Sequence, residues 1–336
     1  TTTELDLALR ALADHCRTTH QSLPTLMGVN LAPGAVVLAL ASPVDLPSPW
    51  VHDAAGSWSV NPHDLTAAHT AISPYPALVA VGSTDAPTTD ADDEVPSTST
   101  LLLNLEHFGH LAVAASDPSV AVAAVRSIAW ELALSPLADD LRVTLVGFGA
   151  DMPHIIDSGR VDYAADADTI LDRLARTTTA TAGILAAQDL ESMAQARTAY
   201  STSEMTAPHI ILLAEPLTAA QHDRLNEIRN HHPRLAFAAV TAAHDPTADW
   251  TLYLTDPTNA QLTHAHSSLS IPITPQLITA AGHQDLIDLH AVALEDPQPP
   301  TVPTIAWTAD EIDDTLATHP TDILTPLPVV DAPELH

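Results

Sequence analysis

Short, continuous apolar runs alternate along this chain with segments whose apolar residues recur every three or four positions. The runs occupy residues 34–40, 76–82, 100–105, 110–115, 141–147, 208–214 and 234–240, and shorter ones follow at 250–254 and 269–273. Such runs are typical of buried strands, whereas the periodic segments predict amphipathic helices. The predicted helices occupy residues 4–19, 118–134, 166–187, 189–200, 218–231 and 275–294. This alternation predicts an α/β fold with a mostly parallel, twisted sheet and helices on both of its faces.

One strand–turn–helix unit, residues 110–135, is the best-defined part of the pattern. Its turn offers Asp117 as a candidate N-cap and places Pro118 at the first helical position. The N-terminus of such a helix favours a bound anion, because of its dipole and its unpaired N–H groups. The turn itself contains neither a glycine cradle nor a lysine. Ser116, Asp117 and Ser119 are therefore the candidate nucleotide- or anion-binding residues, and we expect this site to be vestigial.

The pattern also predicts how the chain is divided. Residues 1–70 combine a helix, a strand and a predicted hairpin with two tryptophans, and they predict a small N-terminal α+β lobe. Residues 71–295 form the main α/β domain, in which the acidic stretch 83–99 is a solvated loop between neighbouring strands. Residues 296–336 are rich in Pro and Asp and predict a tail or linker. Because the chain lacks an initial Met and ends in this stretch, we expect a segment of a longer protein.

Charge restricts the partners that this segment can have. The chain has 336 residues and a formal net charge of −31, from 42 acidic residues against eleven arginines and no lysine. Nucleic-acid binding needs clustered cations to neutralise phosphates, so we expect none here, and an anionic membrane surface is disfavoured for the same reason. No apolar run approaches the roughly 20 residues that span a bilayer. We expect a cytoplasmic protein.

Metal and redox chemistry have little support in the sequence. Cys16 is the only cysteine, so no internal disulfide can form. His20 shares a predicted helix face with Cys16, and His15 is adjacent, but no fourth ligand lies nearby for a structural metal site. Gly147 and Gly149 match only the start of a dinucleotide-binding fingerprint. We expect no metal and no cofactor.

Residues 76–245 resemble a known class of motor proteins. The runs PALVAVG, HLAVAA, LRVTLVGFG, PHIILLAE and LAFAAV, with the helices between them, follow in the order seen in FtsK/SpoIIIE-type translocases and type VII secretion ATPases. The resemblance implies a P-loop NTPase-like (RecA/FtsK-like) fold. It rests on the order of the elements, since the catalytic motifs are not intact.

The resemblance also assigns roles to individual positions. Without gaps, residues 115–122 overlie the family's glycine-rich phosphate loop. Ala121 then stands where the phosphate-binding lysine would be, and Val122 where the magnesium-binding hydroxyl would be. Ala214 replaces the metal-holding aspartate, so Glu215, at the water-polarising position, is the only remaining candidate catalytic residue. Phosphoryl transfer depends on charge neutralisation by such groups, so the resemblance implies a fold without ATPase activity.

A narrower resemblance gives a context for such a domain. The stretches RVTLVGFGAD, ILAAQDLESMAQAR and PHIILLAEPL are similar to the central domain of large actinobacterial regulators that carry LysM and bacterial-transcriptional-activator modules. We therefore expect a non-catalytic, pseudo-ATPase-like regulatory or scaffolding domain that acts through a protein partner or through self-association.

Two alternatives remain open at this stage. The first is a nucleotide- or small-anion-sensing domain that binds at the turn 116–119. The second is a hydrolase in which Glu215 works with a histidine, for which His107, His110 and His209 are the candidates. No serine lies in a nucleophile elbow.

Overall fold

The structure is a computed structural model, and it describes residues 1–53, 56–65, 72–85, 98–156, 158–190, 192–199, 206–231 and 235–294. The predicted tail 296–336 and most of the predicted acidic loop 83–99 lie outside the described residues. None of the described helices is both long enough and apolar enough to cross a membrane.

Eight helices and fourteen strands make up the described part of the chain. The helices are α1 (Thr2–Thr19), α2 (Leu105–Phe108), α3 (Pro118–Ala133), α4 (Met152–Ile155), α5 (Ala167–Ala187), α6 (Met193–Ala199), α7 (Ala219–His231) and α8 (Ala280–Leu294). The first six strands are β1 (Leu26–Ala32), β2 (Ala35–Leu40), β3 (Val51–His52), β4 (Trp58–Val60), β5 (Leu78–Asp85) and β6 (Thr98–Asn104). The others are β7 (His110–Ala115), β8 (Arg142–Val146), β9 (Val161–Ala164), β10 (His209–Leu213), β11 (Phe237–Thr241), β12 (Trp250–Asp256), β13 (Asn259–His264) and β14 (Ser270–Pro275).

All fourteen strands belong to one sheet, and that sheet is mixed. Its order is β3-β4-β2-β1-β6-β5-β14-β13-β12-β7-β11-β10-β8-β9. The six strands from β12 to β9 pair in parallel, and the remaining described pairs are antiparallel. The prediction of a mostly parallel sheet is therefore confirmed only in part, since the parallel strands form one side of a mixed sheet. Short connections without a helix, such as the two-residue turn between β12 and β13, can join only antiparallel neighbours.

Helices cover both faces of the parallel strands, as the alternation predicted. Val143 and Leu145 of β8 belong to the large core that contains α3, whereas Val146 belongs to a second core with α5 and α7. Successive side chains of a strand point to opposite faces, so the four strands β8 to β11 each contribute to both cores. Helix α3 spans the predicted residues and begins at the predicted cap, Asp117.

The N-terminal elements pack as their pattern indicates. The apolar face of α1 contains Leu5, Leu9, Leu12 and Cys16, all buried in a third core with Trp50 and Trp58. The predicted hairpin is present as the pair β3–β4. Strand β1 pairs with β6, so hydrogen bonding of the sheet continues across residue 70. The division into domains stays a prediction.

One glycine sets the junction between β5 and β14, where only two residue pairs form. Gly82 has φ +156°, and a Cβ atom there would lie 2.2 Å from the carbonyl oxygen of Thr274 and 2.6 Å from a methyl group of Ile273. No side chain fits at that distance, so this close approach of the two strands requires glycine.

Candidate functional site

The carboxyl ends of the parallel strands are the place where an α/β sheet of this kind binds ligands. The turn between β7 and α3 lies at this edge and consists of two residues, Ser116 and Asp117. A phosphate-cradling loop spans several glycine-rich residues between strand and helix, because its backbone must wrap around the phosphates. Of the eight positions that overlie such a loop, Ala115 ends the strand and residues 118–122 are helical. The turn is too short to enclose a phosphate chain.

The backbone donors at the start of α3 are already used. Pro118 has no N–H group, the N–H of Ser119 donates to Asp117 Oδ1 at 2.9 Å, and that of Val120 donates to the Asp117 carbonyl oxygen at 3.0 Å. The hydrogen bonds from Ser119 hold the pKa of the Asp117 carboxyl below its usual value. An anion at this turn would meet a carboxylate in place of free N–H groups. The assignment of Ser116, Asp117 and Ser119 to nucleotide binding stays a prediction, and this geometry weighs against it.

Apolar side chains occupy the three positions to which the sequence resemblance assigned the phosphate-binding lysine and the metal ligands. Ala121 is 1% exposed in the core beneath α3, and Val122 and Ala214 pack against the same core. A lysine at position 121 would point into apolar surroundings, where its charge has no compensation. Among the described residues, these three positions therefore belong to the apolar packing of the core.

Glu215 lies near the carboxyl end of β10, a strand inside the sheet. It is exposed and lies two residues after the end of β10, and its Cγ would lie 3.7 Å from a Cβ atom placed on Gly147, which has φ +79°. Strand β11 separates β10 from β7, so these two strands are about 10 Å apart. Among the described contacts, no hydrogen bond or ion pair involves the Glu215 side chain.

The three candidate histidines have other partners within the described structure. His209 Nε2 lies 2.8 Å from Thr144 Oγ1, and burial together with the nearby Arg173 and Arg142 lowers the pKa of His209 to about 4. His107 is half-buried, and burial lowers its pKa. His110 is fully buried at the start of β7. Because no described contact joins any of the three to Glu215, this geometry gives the hydrolase alternative no support.

His110 belongs to a polar cluster that the sequence did not predict. Its Nε2 lies 3.3 Å from Thr241 Oγ1 and 3.3 Å from Asp245 Oδ2, and the same carboxylate oxygen lies 3.0 Å from His222 Nδ1. The other oxygen, Asp245 Oδ1, accepts hydrogen bonds of 2.8 Å from both the N–H and the hydroxyl group of Thr247.

This cluster fixes an unusual crossover. Residues 242–249 connect β11 to β12 without a helix and pass β7, which lies between these strands in the sheet. Through its contacts with His110 of β7 and His222 of α7, Asp245 connects the crossover to both elements. His110 resists protonation, since burial lowers its pKa despite the neighbouring carboxylate. In the sequence Asp245 is followed by Pro and Thr, which is typical of a turn, so no local signal indicated its burial.

No group of three or more His, Cys, Asp or Glu side chains in the described residues is arranged to hold a metal ion. Cys16 is buried in the N-terminal core, and this burial raises the pKa of its thiol. His20 lies beyond the helix in a left-handed backbone conformation. The described structure therefore leaves the thiol in a packing role.

Comparison with known proteins gives only remote structural neighbours. No family model matches the chain, and no curated protein matches it in sequence. The cytoplasmic domain of the type VII secretion ATPase EccC from Thermomonospora curvata is similar with a TM-score of 0.45 and 14% identity, over 66% of this chain and 31% of that one. EccC ATPases 2 and 3 from the same organism, in complex with a signal sequence peptide, give 0.47 and 14%, over 67% and 49%.

The conjugation coupling protein TcpA of pCW3, with ATPγS, is a third neighbour. Its TM-score is 0.42 at 9% identity, over 84% of this chain and 99% of that one. This chain spans less than a third of the first EccC structure and about half of the second. These neighbours include type VII secretion ATPases, the class of protein that the sequence resembles. With TM-scores below 0.5, the similarity says nothing about the activity of this chain.

Proposed function

We propose that this chain is a non-catalytic, pseudo-ATPase-like domain that regulates or scaffolds through contacts with a protein partner or with a second copy of itself. The observation that supports this is the turn between β7 and α3. It has two residues, its N–H groups are used by Asp117, and apolar side chains fill the positions of the lysine and of both metal ligands. Positioning and charge neutralisation are what phosphoryl transfer requires, and this arrangement supplies neither.

The proposal includes a cellular context that rests on sequence alone. The similarity of three stretches to actinobacterial regulators supports a role inside a transcription regulator, with this segment in the cytoplasm. The net charge of −31 supports a protein partner over DNA for this segment. DNA contact by the whole regulator would then belong to other domains.

Nucleotide titration tests the proposal directly. Purified protein is heated with ATP, ADP or GTP at up to millimolar concentration, with and without Mg²⁺, and its unfolding temperature is recorded. We expect no saturable shift in the unfolding temperature. Binding would be easy to detect, because a ligand at a hundred times its Kd stabilises the folded state by about 2.7 kcal/mol. A saturable shift would favour the sensing alternative at the turn 116–119 and overturn the proposal.

A second measurement addresses residual catalysis. ATP turnover is measured for the parent, for Glu215→Gln and for Glu227→Gln, an exposed glutamate of α7 that serves as the matched control. We expect the same background in all three proteins. Turnover that disappears only in Glu215→Gln would show that the exposed carboxylate is catalytic.

A further inference from the structure

Helix α8 buries little apolar surface against the rest of the protein. Ile287 is its one fully buried side chain, and the structure describes this helix throughout. Leu289, Val292 and Leu294 are each more than half exposed. A surface helix usually docks by burying an apolar stripe along its length, so the few other contacts of α8 decide whether it stays in place.

A hydrogen bond between two rings anchors the first turn of α8. The indole N–H of Trp130, a residue of α3 that is 4% exposed, donates to His283 Nδ1 at 3.0 Å. On the other side of the imidazole, His283 Nε2 lies 3.5 Å from Asp151 Oδ1, at the start of α4. The ring centre of His290, seven positions later in α8, lies 5.1 Å from that of Trp130. Trp130 therefore contacts two histidines of α8.

The donor and acceptor roles at His283 are fixed by its partners. An indole N–H can only donate, so Nδ1 carries a lone pair, and the proton of the neutral ring lies on Nε2, toward the Asp151 carboxylate. A proton added at Nδ1 would turn this acceptor into a second donor. The buried indole N–H would then lose its partner, which is unfavourable. The hydrogen bond from Trp130 therefore exists only while His283 is neutral.

His290 provides a contrast within the same helix. Its Nδ1 lies 2.9 Å from the Leu286 carbonyl oxygen, which can only accept, so this nitrogen carries a proton. A second proton would be added at Nε2, where no described hydrogen bond would be broken. Protonation of His290 therefore leaves its described hydrogen bond intact, unlike protonation of His283.

The ion pair that protonation of His283 would strengthen is the weaker of its two contacts. Asp151 is 44% exposed, and ion pairs with such exposed groups contribute little, because water screens them. The net charge of −31 acts on the imidazole in the docked and in the released position, so it does not hold α8 in place. The other titratable or charged groups on the elements around His283 are Arg126 and Glu131 of α3, His154 of α4, and Asp285, Asp288 and His290 of α8. Among the described contacts, none of these groups forms a hydrogen bond or ion pair with His283.

We propose that α8 is a proton-sensitive latch. It is docked on α3 and α4 while His283 is neutral, and a proton from solvent, taken up at Nδ1, breaks the bond from Trp130 and releases the helix. Acid favours the released state, because that state binds the proton without losing a hydrogen bond. An ordinary histidine titrates near pH 6.5, so release accompanies a fall in pH from about 7.5 to about 5.5. The latch is separate from the proposed function, since no partner or nucleotide is needed to operate it.

Hydrogen exchange of the full chain measures the docking of α8. Peptide-resolved exchange is recorded by mass spectrometry at pH 7.5, 6.5 and 5.5 and is corrected for the intrinsic dependence of amide exchange on pH. A weakly docked surface helix opens locally, before the core does, so its amides report its own release. We expect the protection of the α8 amides to fall at least tenfold between pH 7.5 and pH 5.5.

Matched variants identify the group that takes up the proton. Asparagine at position 283 places an amide oxygen near the position of Nδ1, so it can accept from Trp130 but cannot titrate. We expect the α8 protection of His283→Asn to change less than threefold over the same range, whereas His290→Asn keeps the tenfold fall of the parent. Constant α8 protection in the parent, an equal fall in His283→Asn, or protection that increases in acid overturns the proposal.

The parent protein gives a second readout that does not depend on how asparagine is tolerated at position 283. The indole N–H signal of Trp130, identified by its loss in Trp130→Phe, is followed by NMR between pH 7.5 and pH 5.5. We expect a sigmoidal change in this signal with the same midpoint as the loss of α8 protection. A signal that does not change, or a midpoint that differs by more than one pH unit, would show that the Trp130–His283 bond does not control the helix.

Discussion

Acid should destabilise this protein between pH 6.5 and 4, and His209 should account for a defined part of the loss. This histidine is half-buried at the start of β10, where its Nε2 contacts Thr144 Oγ1. Desolvation, with Arg173 and Arg142 nearby, lowers its pKa from 6.5 to about 4. In this window the unfolded chain binds a proton at His209 that the folded protein does not.

The sign and size of the effect follow from this difference in bound protons. Stability is full above pH 6.5, where both states are neutral, and it decreases as pH falls toward 4, because protonation favours the unfolded state. The difference between a pKa of 6.5 and one of about 4 corresponds in full to about 3–4 kcal/mol for His209 alone, of which about 3 kcal/mol is lost by pH 4. His110 acts in the same direction, since burial also lowers its pKa.

Glutamine at position 209 keeps a polar group near Thr144 but cannot titrate. We expect His209→Gln to reduce the stability lost between pH 7 and pH 4 by about 3 kcal/mol relative to the parent. Urea unfolding followed by circular dichroism at unit pH intervals measures this difference. His154→Gln changes an exposed histidine of α4 and is the control, for which we expect the slope of the parent.

Carboxylates begin to act below about pH 5, but they are the same in the parent and in His209→Gln, so their contribution cancels in the comparison. Asp166 accepts hydrogen bonds from the backbone N–H and hydroxyl group of Thr169, and these lower its pKa. Its contribution is present above the usual aspartate pKa of about 3.8 and is lost only as pH falls below it. If His209→Gln and the parent lose the same stability between pH 7 and 4, burial of the neutral imidazole does not govern acid sensitivity.

Four further substitutions, one of them a control, test other features of the structure by urea unfolding. Gly82→Ala should destabilise the protein by about 1–3 kcal/mol, because its methyl group would meet the Thr274 carbonyl oxygen. Gly183→Ala is the control: position 183 in α5 has open space around it, so alanine should stabilise the protein by about 0.5–1 kcal/mol. Equal effects of the two substitutions would refute the close approach of β5 and β14. Asp245→Ala should destabilise by about 1–3 kcal/mol, since the N–H and hydroxyl groups of Thr247 lose their acceptor and the crossover loses its contacts with His110 and His222, and a change below about 0.5 kcal/mol would argue against the cluster. Ala121→Lys should destabilise by several kcal/mol without creating nucleotide binding, and saturable ATP binding by this variant would contradict our account of the turn.

The sequence alone determined the elements and the chemistry that the chain lacks. Continuous apolar runs identified the buried strands β7, β8, β10 and β11, because strands covered on both faces have no polar side to alternate with. Helix α3 was predicted with its cap, since Asp117 and Pro118 act locally on the first turn. The absence of lysine and the single cysteine excluded lysine chemistry and disulfides without reference to any fold.

Only the tertiary structure decided how the strands pair and what surrounds each polar group. The antiparallel part of the sheet was missed because strand direction depends on how the connections run through space, which apolar runs do not record. Strand β9 was missed too, because two of its four residues, Asp162 and Tyr163, are exposed at the edge of the sheet.

Polar groups brought together across long sequence separations left no local signal. His110 and Asp245 are 135 positions apart, and only the crossover between β11 and β12 makes them neighbours. In the same way, Trp130 and His283 are 153 positions apart and meet only because α8 packs against α3. Periodicity determines which face of an element is buried, whereas the partner on that face is set by packing between elements.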